Sequence, residues 1–189
     1  MDISRLRRET AGDHEAVEGV MPLMAQQLDT NEYVACISRM YGVVAAWEEQ
    51  AYRTAPDWLR DSLVERKRLG MLDSDLAYFG HVSSEERSTL PQTNDVPSLL
   101  GAMYVMEGST LGGQQIARHV EKCMGLTTGF GNAYFVGHGD QTGRMWKEFC
   151  LMLETRVPED DARAVVQGAK AMFATFGEWM RRNEVKNGS

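Results

Sequence analysis

The sequence predicts an all-α fold in a single domain over residues 1–189, and three observations carry that expectation. Apolar residues recur roughly every 3.6 positions through most of the chain, the period of one helix face. Glycines and prolines fall at the ends of these stripes, at Gly70, Gly125 and Pro158, where helices stop. The only stretch with any strand character, AYFV at 133–136, sits in a glycine-rich loop.

Taken in order, a first helix carries the stripe Leu6, Thr10, His14, Val17, Met21 and Met24. Thr30 or Asn31 is suited to cap a second helix, with Val34, Ile37, Met40, Tyr41, Val44 and Trp47 inward. A shorter helix from about Trp58 to Leu69 ends at Gly70, and 83–97, with two prolines, is a connection. A long helix then spans Ser98 to Met124 and closes at Gly125; residues 125–140 form an ordered loop. A further helix covers Gln141 to Arg156 before Pro158. The last helix has the cleanest stripe: Ala162, Val165, Ala169, Met172, Phe173, Phe176 and Met180.

Composition limits the function classes. A net charge of -7 argues against a general nucleic-acid or anionic-membrane binder. Three widely spaced cysteines, Cys36, Cys123 and Cys150, give neither a disulfide framework nor a zinc knuckle. No signal peptide or membrane span is legible, and the tail RRNEVKNGS is polar, so a cytoplasmic protein is expected.

The long helix holds an oddity, GSTLGG at 108–113. Three glycines in a helix interior forgo roughly 3 kcal/mol of helix preference, so bare backbone must serve some purpose there. A P-loop would end in Gly-Lys-Ser/Thr, and here Gln114 follows; a dinucleotide fingerprint needs a βαβ unit this chain lacks. Close helix packing is one remaining reading. The other is close approach of a flat ligand to a kinked backbone stripped of side chains at Gly108, Gly112 and Gly113.

A flat ligand holding a metal needs a donor from the opposite wall, and His14 is the candidate. A satisfied core histidine is the alternative. Glu18, four residues on, can fix the ring's tautomer, and Arg7, two turns earlier, can meet a carboxylate at the ligand's edge. Axial ligand, orienting carboxylate and edge cation together suit haem.

Here the sequence resembles the haem oxygenase family. RRETAGDHEAVE (7–18) resembles its proximal helix and YVMEGSTLGG (104–113) its glycine-rich distal helix. The likeness extends through FVGHGDQTGRMWKEF (135–149) and GAKAMFATFGEWM (168–180), is looser over 50–95, and is nearest to bacterial, phytochrome-associated members. It implies haem held between proximal and distal helices, as substrate and cofactor. It also implies cleavage by O2 to biliverdin, CO and iron, with electrons from a separate reductase or ferredoxin. A phytochrome receiving biliverdin is an implied partner. Carried over by position, His14 is the axial iron ligand, Glu18 its orienter and Arg7 a propionate partner. Gly108, Gly112 and Gly113 form the distal wall, and Phe173 lines the pocket. Ser109 stands where several members have an aspartate that organises proton-feeding water; a hydroxyl can still donate and accept. Arg144 is a second candidate propionate partner, with a solvated charge as its alternative.

Of the other histidines, His81 and His119 read as surface residues and His138, in VGHGD, as a loop residue, with approach to the haem edge as its alternative. The rival functions are a non-catalytic haem carrier or sensor, kept open by Ser109; a di-iron oxidase, which wants Glu-x-x-His pairs absent here; and a thiaminase-like hydrolase, which wants an activated cysteine.

Overall fold

The computed structural model describes residues 1–182, and the polar tail expected to carry no anchor lies largely outside them. Eight α-helices follow in order: α1 (Ile3–Glu18), α2 (Thr30–Thr54), α3 (Asp57–Glu65), α4 (Leu69–Tyr78), α5 (Val96–Met124), α6 (Ala133–Val136), α7 (Thr142–Arg156) and α8 (Ala162–Arg181). Short 3-10 turns sit at Pro22–Met24, Gly139–Gln141 and Glu159–Asp161. No strand occurs among the described residues. None of their helices is long and apolar enough to cross a membrane.

Helix ends follow local chemistry. Asp2 caps α1 through the Ser4 amide at 2.7 Å, and α1 stops at Gly19, so Met21 and Met24 fall beyond it. The cap of α2 is Asp29, one residue before the expected Thr30, in a reciprocal box with Glu32. Asp95 accepts from the Ser98 amide at 2.7 Å, with Pro97 in the first turn of α5. At the other end Gly125 takes φ 66°, the left-handed conformation that favours glycine.

Two expectations need correction. The single helix over 58–69 is two helices, with Gly70 in the first turn of α4. The break has a tertiary cause: Glu48 of α2 accepts the backbone N–H groups of Arg68 (2.6 Å) and Leu69 (2.8 Å), capping α4 from another helix. The loop over 125–140 contains the one-turn α6, anchored by Asp75, whose carboxylate accepts from the Ala133 and Tyr134 amides.

One continuous core joins these helices, with Leu6, Ile37, Val43, Leu99, Phe149, Leu153, Val165 and Met172 almost fully enclosed. Helices α5 and α8 make its most intimate contact. A Cβ on Gly101 would run into the Val165 carbonyl, and one on Gly168 into the Ser98 carbonyl. Close packing therefore falls on these two glycines. α1 lies across α8 and touches α7.

Candidate functional site

α1 and α5 meet at a side-chain junction. The Tyr104 phenol lies beside the Thr10 hydroxyl and the Arg7 guanidinium; burial pushes its pKa up, and these two neighbours pull it partly back. His14 lies one turn beyond Thr10 on α1, and Gly108 one turn beyond Tyr104 on α5. Each is therefore only about 6 Å along its helix from the contact.

His14 does not point into packed hydrocarbon: its side chain is 55% exposed. Its Nδ1 is 3.5 Å from Glu18 Oε2. Phe173 of α8 meets the ring edge-on, centroids 5.9 Å apart. With Nδ1 turned to the carboxylate, Nε2 is the nitrogen left to coordinate.

α5 is helical throughout GSTLGG, and Gly108, Gly112 and Gly113 all keep negative φ. Its glycines divide by direction. A Cβ on Gly113 would come within 3.0 Å of the Phe135 carbonyl, so that glycine serves packing against α6. A Cβ on Gly112 would meet nothing within 4 Å, and one on Gly108 only the Trp146 ring at 3.7 Å. Packing does not account for Gly108 and Gly112. They leave an open strip of main chain, the surface a flat macrocycle requires, so the residues present fit haem between α1 and α5.

The family model described as "Heme oxygenase" matches residues 3–182. The chain belongs to the heme oxygenase family. A curated relative named "Heme oxygenase", from Xanthomonas campestris pv. campestris, is 31% identical over 155 residues, which cover 79% of this chain and 88% of that protein. Among solved structures, the NO- and CO-bound heme oxygenase of Neisseria meningitidis superposes with TM-score 0.76 at 20% identity, covering 94% of this chain and 89% of that one. Heme oxygenase-1 of the cyanobacterium Synechocystis, in complex with heme, gives 0.70 at 20% identity over the same shares. At such identities the structural likeness speaks for the shared all-α fold. Family membership makes the chain a haem oxygenase, an enzyme acting on haem.

Not every expected site residue joins the junction. Arg144 lies on α7, 63% exposed, and its guanidinium donates to Gln141 (2.8 Å) and Glu148 (2.7 Å) on or beside its own helix. These partners are those of a solvated charge, and Arg144 does not reach the Tyr104 junction. Arg7 does join, facing Tyr104 and lying near Cys150 of α7. Gly113 is present but turned to α6.

Behind the Gly108–Gly112 strip lies a polar cluster that the sequence did not signal. Arg68, only 5% exposed, donates to the Met106 carbonyl (2.9 Å) and to Ser109 Oγ (3.1 Å), and its guanidinium lies over the Tyr134 ring. Arg66 pairs with buried Glu107 and donates to the Met145 carbonyl. Burial pushes the Glu107 carboxyl up, against the downward pull of Arg66 and Arg68. His138 is pushed down by burial and by these two arginines, and its buried Nε2 has no hydrogen-bond partner among the described residues. In the sequence Arg66 and Arg68 belong to VERKRLG, which reads as a solvated charge run.

The rival chemistries find no support. Among the described residues no three His, Cys, Asp or Glu side chains converge as a di-iron centre would need. Burial pushes the Cys36 thiol up to about 12, the reverse of nucleophile activation.

Proposed function

We propose that the chain is a biliverdin-producing haem oxygenase, built as one domain, whose haem site lies between His14 and the strip Gly108–Gly112. The observation that carries this reading is the pairing of two glycines that pack against nothing substantial with an exposed histidine, its Nδ1 3.5 Å from a carboxylate, on the facing helix. Haem bound there would be the substrate and would supply the iron chemistry for its own oxidative opening by O2, with electrons from a separate reductase or ferredoxin, to biliverdin, CO and iron.

The protein's own part is positional. His14 would hold the iron through Nε2, with the Glu18 carboxylate 3.5 Å from Nδ1 placed to orient the ring. Phe173 limits rotation of that ring from α8. Arg7 supplies a cation at the junction edge, suited to a propionate. Gly108 and Gly112 admit the macrocycle to main-chain distance, and Ser109 borders them with a hydroxyl. Sixty degrees or so around the helix separates Ser109 from Gly112, so the hydroxyl flanks the strip without filling it. A phytochrome as acceptor of biliverdin and a cytoplasmic setting complete the reading, supported by the sequence likeness to bacterial members.

Addition of haemin to the purified protein tests it. A Soret band should form, and reduction in air should convert it to a green product whose spectrum is that of biliverdin. Absence of any Soret band would remove the site, and a stable band without a green product would remove the turnover.

A further inference from the structure

The most heavily enclosed charge near the distal strip is one the proposed chemistry has not used. Removing a guanidinium from water costs several kcal/mol unless its donors are met. Arg68 is 5% exposed; among the described residues no carboxylate forms a direct ion pair with it, although Glu107, paired with Arg66, attracts it from nearby. Its charge is accommodated by the Tyr134 face, 4.4 Å from the ring centroid, and by oxygens of a single turn of α5, Met106 O and Ser109 Oγ.

Those contacts determine what Ser109 can do. Its hydroxyl donates to the Met106 carbonyl at 2.7 Å, and its oxygen accepts from Arg68 at 3.1 Å. The single proton is thus committed to the helix, and one lone pair is occupied. The Tyr134 hydroxyl also lies beside Ser109, so what Ser109, itself an exposed residue, can offer outward is at most one acceptor lone pair. This narrows the sequence expectation of a hydroxyl free to donate and accept. It also gives the broken 58–69 helix a consequence: Glu48 holds the Arg68 and Leu69 amides, so the turn that separates α3 from α4 is what delivers Arg68 behind α5.

We propose that Arg68 is a positioning residue for the haem reaction, locking the Ser109 hydroxyl in one orientation so that it meets the distal space only as a hydrogen-bond acceptor. A water there would give Ser109 one hydrogen and so be held with a defined orientation. Without the guanidinium only the bond to the Met106 carbonyl still holds the hydroxyl, other rotamers then compete with it, and the distal space loses its single arrangement. The inference rests on the haem site proposed above.

The test is the infrared stretch of CO bound to the reduced haem complex, which reads distal polarity without turnover. Wild-type protein should give one narrow band. Arg68→Met should broaden or split it while the Soret position stays that of wild type. Ser109→Ala should move the band and keep it narrow, and Arg68→Met added to Ser109→Ala should give the Ser109→Ala spectrum. Arg68→Lys, which keeps a donor, should lie nearer wild type than Arg68→Met. An unchanged band in Arg68→Met, or its broadening persisting in full without Ser109, overturns the proposal. If Arg68→Met does not fold, Ser109→Ala still decides: a band identical to wild type shows that Ser109 does not reach the distal space. Failure of the haem site itself would show differently, as a missing Soret band in the wild-type protein.

Discussion

The Nδ1 of His14 stands 3.5 Å from Oε2 of Glu18, one turn away on α1, with both side chains more than half exposed. A histidine serving the core would be enclosed, as Leu6 and Thr10 are on the same helix. This one is left accessible beside a carboxylate, the arrangement that the proposed ligation needs.

His14→Ala is therefore expected to abolish the normal Soret spectrum, with added imidazole restoring it in part. Glu18→Gln should be milder, weakening haem binding by about 10-fold or somewhat more, the usual cost of losing a ligand's outer partner. Haemin titration of both variants measures this, and wild-type affinity in both would detach the pair from the site.

Glycines of α5 should respond oppositely to the same substitution. Gly112→Ala places a methyl in open space within a helix, so the apoprotein should gain up to about 1 kcal/mol in urea unfolding. Gly101→Ala forces a methyl against the Val165 carbonyl and should lose about 1–3 kcal/mol by overpacking. Gly112→Leu should fold well yet fail to accept haem. Normal haem binding by that variant would mean that the macrocycle lies elsewhere.

Breaking the buried ion pair should be costly. Arg66 and Glu107 are each only 8% exposed, and Glu107→Ala would leave Arg66 enclosed and unpaired. A loss of about 3–5 kcal/mol is expected. Replacing both, as Arg66→Met with Glu107→Leu, should recover most of it in the same denaturation assay.

Asp75 predicts a pH dependence of stability. Burial pushes its carboxyl up to about 6, although the Tyr134 and Ala133 amides hold it down in part. The folded protein then binds a proton that the unfolded chain has released, between about pH 4 and pH 6. Stability from this group is complete below about pH 4 and is lost as pH rises through 6, up to about 3 kcal/mol in all. Asp75→Asn should flatten that slope; an unchanged slope across the window would assign it to other groups.

The sequence by itself determined the helices with strong stripes and strong caps. α5 and α8 lie close to where periodicity put them, and Gly125 ends α5 because only a residue without Cβ enters left-handed φ freely. It also determined the His14–Glu18 register, since residues four apart on a helix are neighbours whatever surrounds them. Tertiary structure decided what no local period encodes. Glu48 divided one expected helix into α3 and α4, Asp75 folded α6 out of an expected loop, and Arg68 was carried behind Ser109. The glycine-rich turn shows the difference in one place. Composition announced that side chains were missing from α5, but only the positions of Phe135, Trp146 and open space could say which absences are for packing and which expose the backbone.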